Sequence, residues 1–337
     1  MAYYDDSILL AGQAIIAERF AKNELRHQSY DMIKLFKGNA PYIVEDVESL
    51  RTSDQRAFTA KYLKLGASQA VTARAHNHAG VFGGSGSDSL TFSIIGQKFA
   101  TSLKMGDRNV FSAEQIFANS LYSAWVNTLN TLMTAIATNL NTYKSQVNTA
   151  TSGTDLGTWD SSNYWWEIAD ANSDWLLQYM ESMMRQNNYG GMFDVIADPV
   201  IYAKMMQNAA QGAQNGTNKS FQYGNSSVLE LSSLTSTNKG SAFIMPKPAM
   251  GLIDWTPKAN RDNVKTNLYE YTTVNDPFGL GLTAAFHTYE AGADNSSNGA
   301  ETQDVNFYHE LTINYALPIA PDQTTNEYPI IRTEWTA

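Results

Sequence analysis

The sequence predicts an α+β protein built around one very long helix, and three observations carry that expectation. An apolar stripe at helical spacing (Ile116, Phe117, Leu121, Trp125, Leu129, Leu132, Met133, Ile136, Leu140) follows the capping pair Ser112 and Gln115. Near the C-terminus, Val305, Phe307, His309, Leu311, Ile313 and Tyr315 alternate with Asn306, Tyr308, Glu310, Thr312 and Asn314, the period of a half-buried strand. Between the two, residues 192–197 read as a buried strand, Asp198 as an N-cap and Pro199 as the first residue of a helix.

Taken in chain order, residues 7–36 space Ile8, Leu9, Ile15, Ile16, Phe20, Leu25, Met32, Ile33, Leu35 and Phe36 as a helix does, and Pro41 ends that stretch. Residues 51–70 give a mixed signal and no element. Residues 71–105 read as a long hairpin: 71–74 lead out, 79–89 form a tip of small residues, and 90–94 return as an alternating strand. A tip with so few side chains to anchor it either moves freely or lies on a neighbour.

The long helix is expected over 112–147, ~50 Å at 1.5 Å per residue. Its polar side is Asn119, Ser123, Asn127, Asn130, Thr131, Thr134, Thr138 and Asn141, and between Glu114 and Lys144 there is neither a charged residue nor a histidine. A water-facing helix uses Glu and Lys, which favour helix; Asn and Thr do not. Their use here points to contact with another surface, and so many polar groups exclude a membrane span.

A Gly/Thr/Ser linker at 149–163 leads to a second helix over 164–188, closed by Gly190 and Gly191, and a further helix follows over 200–210. Short strands are expected at 228–231, 241–245 and 251–255. Two long strands, 280–290 and 304–316, flank a polar turn at 292–303, and a last strand covers 328–335.

Composition narrows the function. The 337 residues carry 33 Asp and Glu against 23 Lys and Arg, a net charge of -10, the wrong sign for a dedicated nucleic-acid reader. Zero cysteine removes disulfides, thiolate metal sites and cysteine nucleophiles together. The chain holds 28 Asn, 15 Gln, 28 Ser and 29 Thr, far more than its charged residues. Neutral polar groups are cheaper to desolvate than unpaired charges, which suits surfaces covered by another subunit. The first residues carry acid where a signal peptide needs base, so the protein is expected to be made soluble in a cytoplasm.

Each catalytic motif fails. His309-Glu310 begins like a zinc-protease helix, but Ile313 stands where the second His belongs and the segment reads as a strand. His76 and His78 lack a third ligand. Gly279-Leu280-Gly281 fits a loose dinucleotide fingerprint yet opens a strand instead of a helix, so its glycines serve a turn. Gly83-Gly84-Ser85-Gly86 has no Lys-Ser/Thr after it and is no phosphate loop. Trp159, Tyr164, Trp165, Trp166 and Trp175 beside Asp160, Glu167, Asp170 and Asp174 could form a sugar platform, although aromatic residues at this spacing are more often core. No catalytic, cofactor-binding or metal residues are assigned, and no cofactor is expected.

The order of parts (arm, long two-stranded loop with a Gly/Ser tip, very long helix, second helix, α/β insertion, long C-terminal strands) resembles the major capsid protein of tailed bacteriophages, the Hong Kong-phage or Johnson fold. The resemblance spans the whole chain and lies in architecture rather than in a motif. It implies an N-terminal arm and helices at 1–70, an extended loop (E-loop) at 71–111, a P-domain at 112–190 and 275–337 with its spine helix at 112–147, and an A-domain at 191–274. It further implies a non-enzymatic structural protein of the virion, assembled in the host bacterial cytoplasm. Hexamers and pentamers of the chain itself would enclose double-stranded DNA, helped by separate scaffolding and portal proteins, without a membrane. The alternatives are an encapsulin-like nanocompartment shell and, from another class, a secreted carbohydrate-active enzyme or lectin.

Residues expected at contacts between subunits are Gly83, Gly84, Ser85, Gly86, Phe92, Lys98, Lys104, Asn119, Asn127 and Asn130. Lys98 and Lys104 lie near the base of the loop, so the lysine-to-asparagine cross-link of some family members is not carried over. Arg19, Lys22 and Arg26, with Lys34 and Lys37, are candidates for an inner surface that faces DNA non-specifically.

Overall fold

The computed structural model describes residues 6–22, 28–63, 84–102, 111–148, 157–208, 220–223, 226–266, 268–292, 305–320 and 327–337. In chain order the elements are α1 (Asp6–Ala21), α2 (Asp31–Ile43), α3 (Val47–Thr52), β1 (Ala57–Leu63), β2 (Ser85–Thr91), β3 (Ser93–Ser102), α4 (Ala113–Thr142), β4 (Thr158–Asp160), β5 (Trp165–Ile168), α5 (Leu176–Gln186), β6 (Phe193–Ala197), α6 (Pro199–Asn208), β7 (Ser220–Tyr223), β8 (Ser226–Glu230), β9 (Gly240–Pro246), β10 (Ile253–Trp255), α7 (Lys258–Arg261), β11 (Tyr269–Asn275), β12 (Thr283–Gly292), β13 (Val305–Ala316) and β14 (Ile331–Trp335).

The spine is α4. The Ser112 side chain accepts from the Gln115 amide at 3.3 Å while the Gln115 side chain accepts from the Ser112 amide at 3.2 Å, so two end-of-helix donors are satisfied at once. The helix runs for 30 residues and ends at Thr142, five residues short of the expected end; at 1.5 Å per residue it is ~45 Å long. Its stripe from Phe117 to Leu140 is buried. On one side α4 meets the sheet of β3, β10, β11, β12 and β13, in which β13 pairs antiparallel with β12, β3 and β10. Phe286, Phe307, Leu311 and Ile313 point into that layer, and Phe99 packs on Phe117 with the rings tilted at 55°. Helix α1 also lies on α4, and Gly12 permits the approach: a Cβ there would sit 2.9 Å from the Phe117 ring.

A second sheet has the order β4-β5-β14-β9-β6-β8-β7, with β5–β14 and β6–β8 parallel and the other pairs antiparallel. Its central strands are buried on both faces, with Leu176, Met180, Met183 and Met184 of α5 and Ile201 and Met205 of α6 forming one core with Val195, Val228 and Ile244. Asp198 caps α6, its carboxylate accepting from the Ile201 amide at 2.7 Å and from the Ser241 amide at 2.7 Å. Burial of that carboxylate raises its pKa, against the two amides, which lower it.

Four sequence expectations need correction. The helix expected over 7–36 is two helices, and the second runs through Pro41 to Ile43, because in a last turn a proline removes only one hydrogen bond. The hairpin stem starts earlier than residue 71: Ala57 to Leu63 pair with Thr91 to Ser85, while 93–102 leave the hairpin to join β13. The expected outgoing strand at 71–74, His76, His78 and 79–83 lie outside the described residues. The helix expected over 164–188 begins only at Leu176. Before it, Asp160 accepts from the Ser162 and Asn163 amides, Tyr164 takes φ +57°, and Trp165–Ile168 form β5, a turn-and-strand geometry that the helix-like spacing of Trp166 and Ala169 concealed. Finally, the strand expected over 251–255 belongs to the β13 sheet and not to the strands just before it.

Candidate functional site

Helix α4 leaves one side open. Asn119, Ser123, Asn127, Thr131, Thr134, Thr138 and Asn141 are exposed along it. Five hydroxyls on this side donate back to the carbonyl four residues earlier: Ser123 to Asn119, Thr131 to Asn127, Thr134 to Asn130, Thr138 to Thr134 and Thr142 to Thr138, all at 2.9–3.1 Å. Each hydroxyl proton is thereby used within the helix. What the face offers a partner is Thr methyls and the Asn119 and Asn127 amides, with no charge to desolvate. Asn130 has a different role: half-buried, it accepts from Gln28 Nε2 at 2.6 Å and from the Tyr30 hydroxyl at 3.2 Å, tying the chain before α2 to α4.

The hairpin β1–β2 is the second open feature. Gly84 and Ser85 are exposed and Gly86 is half-exposed; Gly83 lies outside the described residues. A lone two-stranded ribbon is marginal in water, and this one is anchored at its base. There Phe92, only 2 % exposed, stacks on Trp255 at 5.6 Å and meets Phe58 at 5.3 Å, so its contacts are within its own chain. Lys98 stands exposed on β3 and pairs with Glu310 at 3.3 Å. Lys104 lies outside the described residues.

A third surface was not singled out in the sequence. Tyr269, Tyr289 and Tyr308 sit directly opposite one another on β11, β12 and β13, and are 38, 44 and 50 % exposed on the sheet face away from α4. Beside them His287 stacks on Tyr271 at 4.3 Å. Strict alternation in 305–315 already put Tyr308 on the face opposite His309; what sequence could not supply was the register that lines up three strands.

Of the basic candidates, Arg19 is half-exposed on α1 and Lys22 pairs with Glu18 at 2.5 Å. Lys34 is exposed on α2, whereas Lys37 faces Asp254 at 3.3 Å. Arg26 lies outside the described residues.

The motifs set aside in the sequence have structural explanations. His309 is 1 % exposed, its two ring nitrogens hydrogen-bonded to Thr101 Oγ1 at 2.7 Å and Thr288 Oγ1 at 3.0 Å, with Phe99, Phe117 and Phe286 around it. Burial pushes its pKa down to about 3, so it is a neutral bridge between β3, β13 and β12. Gly279 and Gly281 have φ +68° and +71° in a turn wound around Asp276, whose carboxylate accepts from the Phe278, Leu280 and Leu282 amides at 2.8–3.0 Å. Backbone amides of the kind that would cradle a phosphate are here aimed at the chain's own carboxylate.

In the aromatic group, Trp166 is fully buried and Trp159 packs on it at 5.9 Å. The Trp165 ring lies under Lys144 at 5.3 Å and Arg332 at 5.0 Å. Trp175 is 58 % exposed, but the cluster as a whole is packing and not an open platform. Among the described residues no group of three or more His, Cys, Asp or Glu could hold a metal, and no helix is long and apolar enough to cross a membrane.

No family model matches the sequence, and no curated protein matches it. Solved structures do match. The capsid asymmetric unit of cyanophage A-1(L) aligns with a TM-score of 0.56 at 12 % identity over 89 % of this chain and 91 % of that one. The capsid of Ralstonia phage GP4 aligns with a TM-score of 0.52 at 7 % identity over 92 % of this chain and 91 % of that one. At such identities the likeness is one of fold, and it runs nearly end to end: the chain has the α+β fold of phage capsid subunits. The chains it is similar to are those of the Ralstonia phage GP4 and cyanophage A-1(L) capsids.

Proposed function

We propose that this chain is the structural subunit of an icosahedral phage shell, forming hexamers and pentamers that enclose double-stranded DNA. The observation that carries the proposal is the open side of α4: 29 successive residues, 115–143, without a charge, with the side-chain hydroxyls already bonded to the helix. A solvent-facing helix has no reason to forgo Glu and Lys. A face buried against another copy does, since unpaired charges are expensive to bury. The hairpin and the tyrosine row supply two further faces, and tyrosine is enriched where proteins meet. The subunit acts through geometry and not through catalysis, in the virion, after assembly in the host cytoplasm with separate scaffolding and portal proteins.

The chain would divide into an arm, an extended loop, a peripheral domain containing α4 and an axial domain. Strand pairing supports assigning 157–188 and 331–335 to the axial domain with β6, β8 and β9, and 253–261 to the peripheral domain with β13. Asn119, Asn127, Gly84, Ser85 and Gly86 would face neighbouring subunits. Arg19, Lys22 and Lys34 would soften the acidity of the inner surface.

The test is charge placed on the open side of α4. The double substitution Ser123→Glu and Asn127→Glu should leave the circular-dichroism spectrum and melting temperature of the subunit close to the parent's, while fast-sedimenting particles disappear. Particles that form as in the parent would overturn the assignment of this face.

A further inference from the structure

The end of α3 and the turn that follows it are fastened at four successive residues to one stretch of chain, 253–261. Arg51 pairs with Asp254 at 2.9 Å. The Thr52 carbonyl accepts from Arg261 Nη1. The Ser53 carbonyl accepts from Trp255 Nε1 at 2.7 Å and from Arg261 Nη2 at 3.3 Å. Asp54 pairs with Arg261 at 2.7 Å and Lys258 at 3.3 Å. Immediately beyond, at the foot of the hairpin, Phe92 stacks on Trp255 and Phe58 packs tilted against Phe92. The 253–261 stretch is itself held to the sheet by the buried Asn260, whose amide donates to the Thr272 and Phe286 carbonyls at 2.8 and 2.9 Å.

Asp254 is the one group that joins all of these parts. Only 2 % exposed, it takes Arg51 and the Thr283 amide on Oδ2, at 2.9 and 3.2 Å, and faces the Lys37 ammonium of α2 on Oδ1 at 3.3 Å. That ammonium also donates to the Gly281 carbonyl. One carboxylate therefore gathers the arm (α2), the hairpin root (Arg51), β10 and the turn before β12. Among the described residues the only other acid on Arg51 is Glu48, whose side chain is 82 % exposed. Burial disfavours the Arg51 cation, yet Asp254, with Glu48, outweighs it and holds the Arg51 pKa above its usual value.

We propose that Asp254 is a charge latch that fixes the root of the β1–β2 hairpin to the N-terminal arm, so that hairpin and arm are held, and released, as one body. With the carboxylate present, two cations from different segments converge on one buried point. Without it, the same two cations converge on a point that has lost its buried counter-charge, and their mutual repulsion drives the segments apart. The hairpin, a two-stranded ribbon that is marginal by itself, then loses its fixed direction.

The test needs no assembled particle, so its outcome is independent of the shell assignment. Amide hydrogen exchange is followed by mass spectrometry in the full-length chain and in the isosteric variant Asp254→Asn. Exchange should quicken by roughly tenfold or more in 47–63, 85–92 and the last turn of α2, and stay at the parent's rate in 193–197, 226–230 and 240–246. Adding Lys37→Met to Asp254→Asn removes one of the two stranded cations and should restore most of the lost protection. Should Asp254→Asn fail to fold, Arg51→Gln gives the same local readout with the carboxylate still paired to Lys37. Unchanged exchange at the hairpin and arm, an equal rise in the second sheet, or a double variant that exchanges faster than Asp254→Asn would overturn the latch.

Discussion

Acid should destabilise this fold through His309 more than through any surface histidine. The ring is held neutral, with a pKa of about 3 against 6.5 for an ordinary histidine, because burial among three phenylalanines disfavours the imidazolium. The folded chain thus binds fewer protons than the unfolded one below the unfolded pKa. Its contribution to stability is complete above about pH 6.5 and is lost progressively as the pH falls towards 3. At pH 5 the unfolded histidine is almost wholly protonated and the folded one almost wholly neutral, so the loss is about 2 kcal/mol; at pH 4 it is about 3 kcal/mol. The pH 5 figure rests almost entirely on the unfolded pKa and hardly changes if the folded value moves by half a unit. The comparison variant is His309→Gln, which keeps a neutral donor and acceptor between Thr101 and Thr288 but does not titrate. Urea unfolding of both chains at pH 8, 6.5 and 5 cancels the carboxylates and the other histidines. The stability difference between parent and variant should shift by about 2 kcal/mol against the parent over that range. Parallel stability profiles would refute the neutral bridge.

Three other perturbations follow from the packing. Arg332, 9 % exposed, pairs with the fully buried Glu334 at 2.5 Å and reaches Asn141 of α4, so Arg332→Met should cost about 3–5 kcal/mol in denaturant unfolding by stranding the carboxylate. Adding Glu334→Gln should recover much of that loss, and a double variant no more stable than the single would contradict the pairing. Gly96→Ala would put a Cβ 2.3 Å from the Leu311 carbonyl oxygen and 2.6 Å from Thr312 Cγ2; a lower melting temperature, by the equivalent of about 1–3 kcal/mol, is expected, and an unchanged one would show that β3 can shift on β13. Replacing Arg19 and Lys22 with Gln should reduce nuclease-protected DNA in purified particles while particle yield holds, and equal protection would mark these residues as an ordinary solvated face.

Where the sequence was legible, the signals were local and repeated. The Ser112–Gln115 box and a stripe over seven turns marked α4, Asp198-Pro199 marked the start of α6, and alternation over eleven residues marked β13. Illegibility came from pairing at a distance. The partner of 85–91 is 57–63, whose Phe58, Ala60 and Tyr62 do alternate, but six residues after a short helix they carry too little pattern to stand alone. Trp165 and Trp166 look helical until Tyr164 is seen at φ +57° and β14, 165 residues later, lies parallel to them. The uncharged side of α4 was visible as composition. Its back-bonded hydroxyls were not, because a threonine's rotamer is decided by its surroundings. Asp254 gave no signal at all: its three partners, Lys37, Arg51 and the Thr283 amide, come from α2, the hairpin root and the start of β12, and only the fold brings them to one carboxylate.

Electron cryo-microscopy of the purified protein is the most direct test of the shell assignment. Closed particles are expected, in which the side of α4 carrying Asn119, Ser123 and Asn127 lies against another copy of the chain and the hairpin stem rests on a neighbour. A protein that stays monomeric at high concentration, or particles in which that side of α4 is open to solvent, would contradict it.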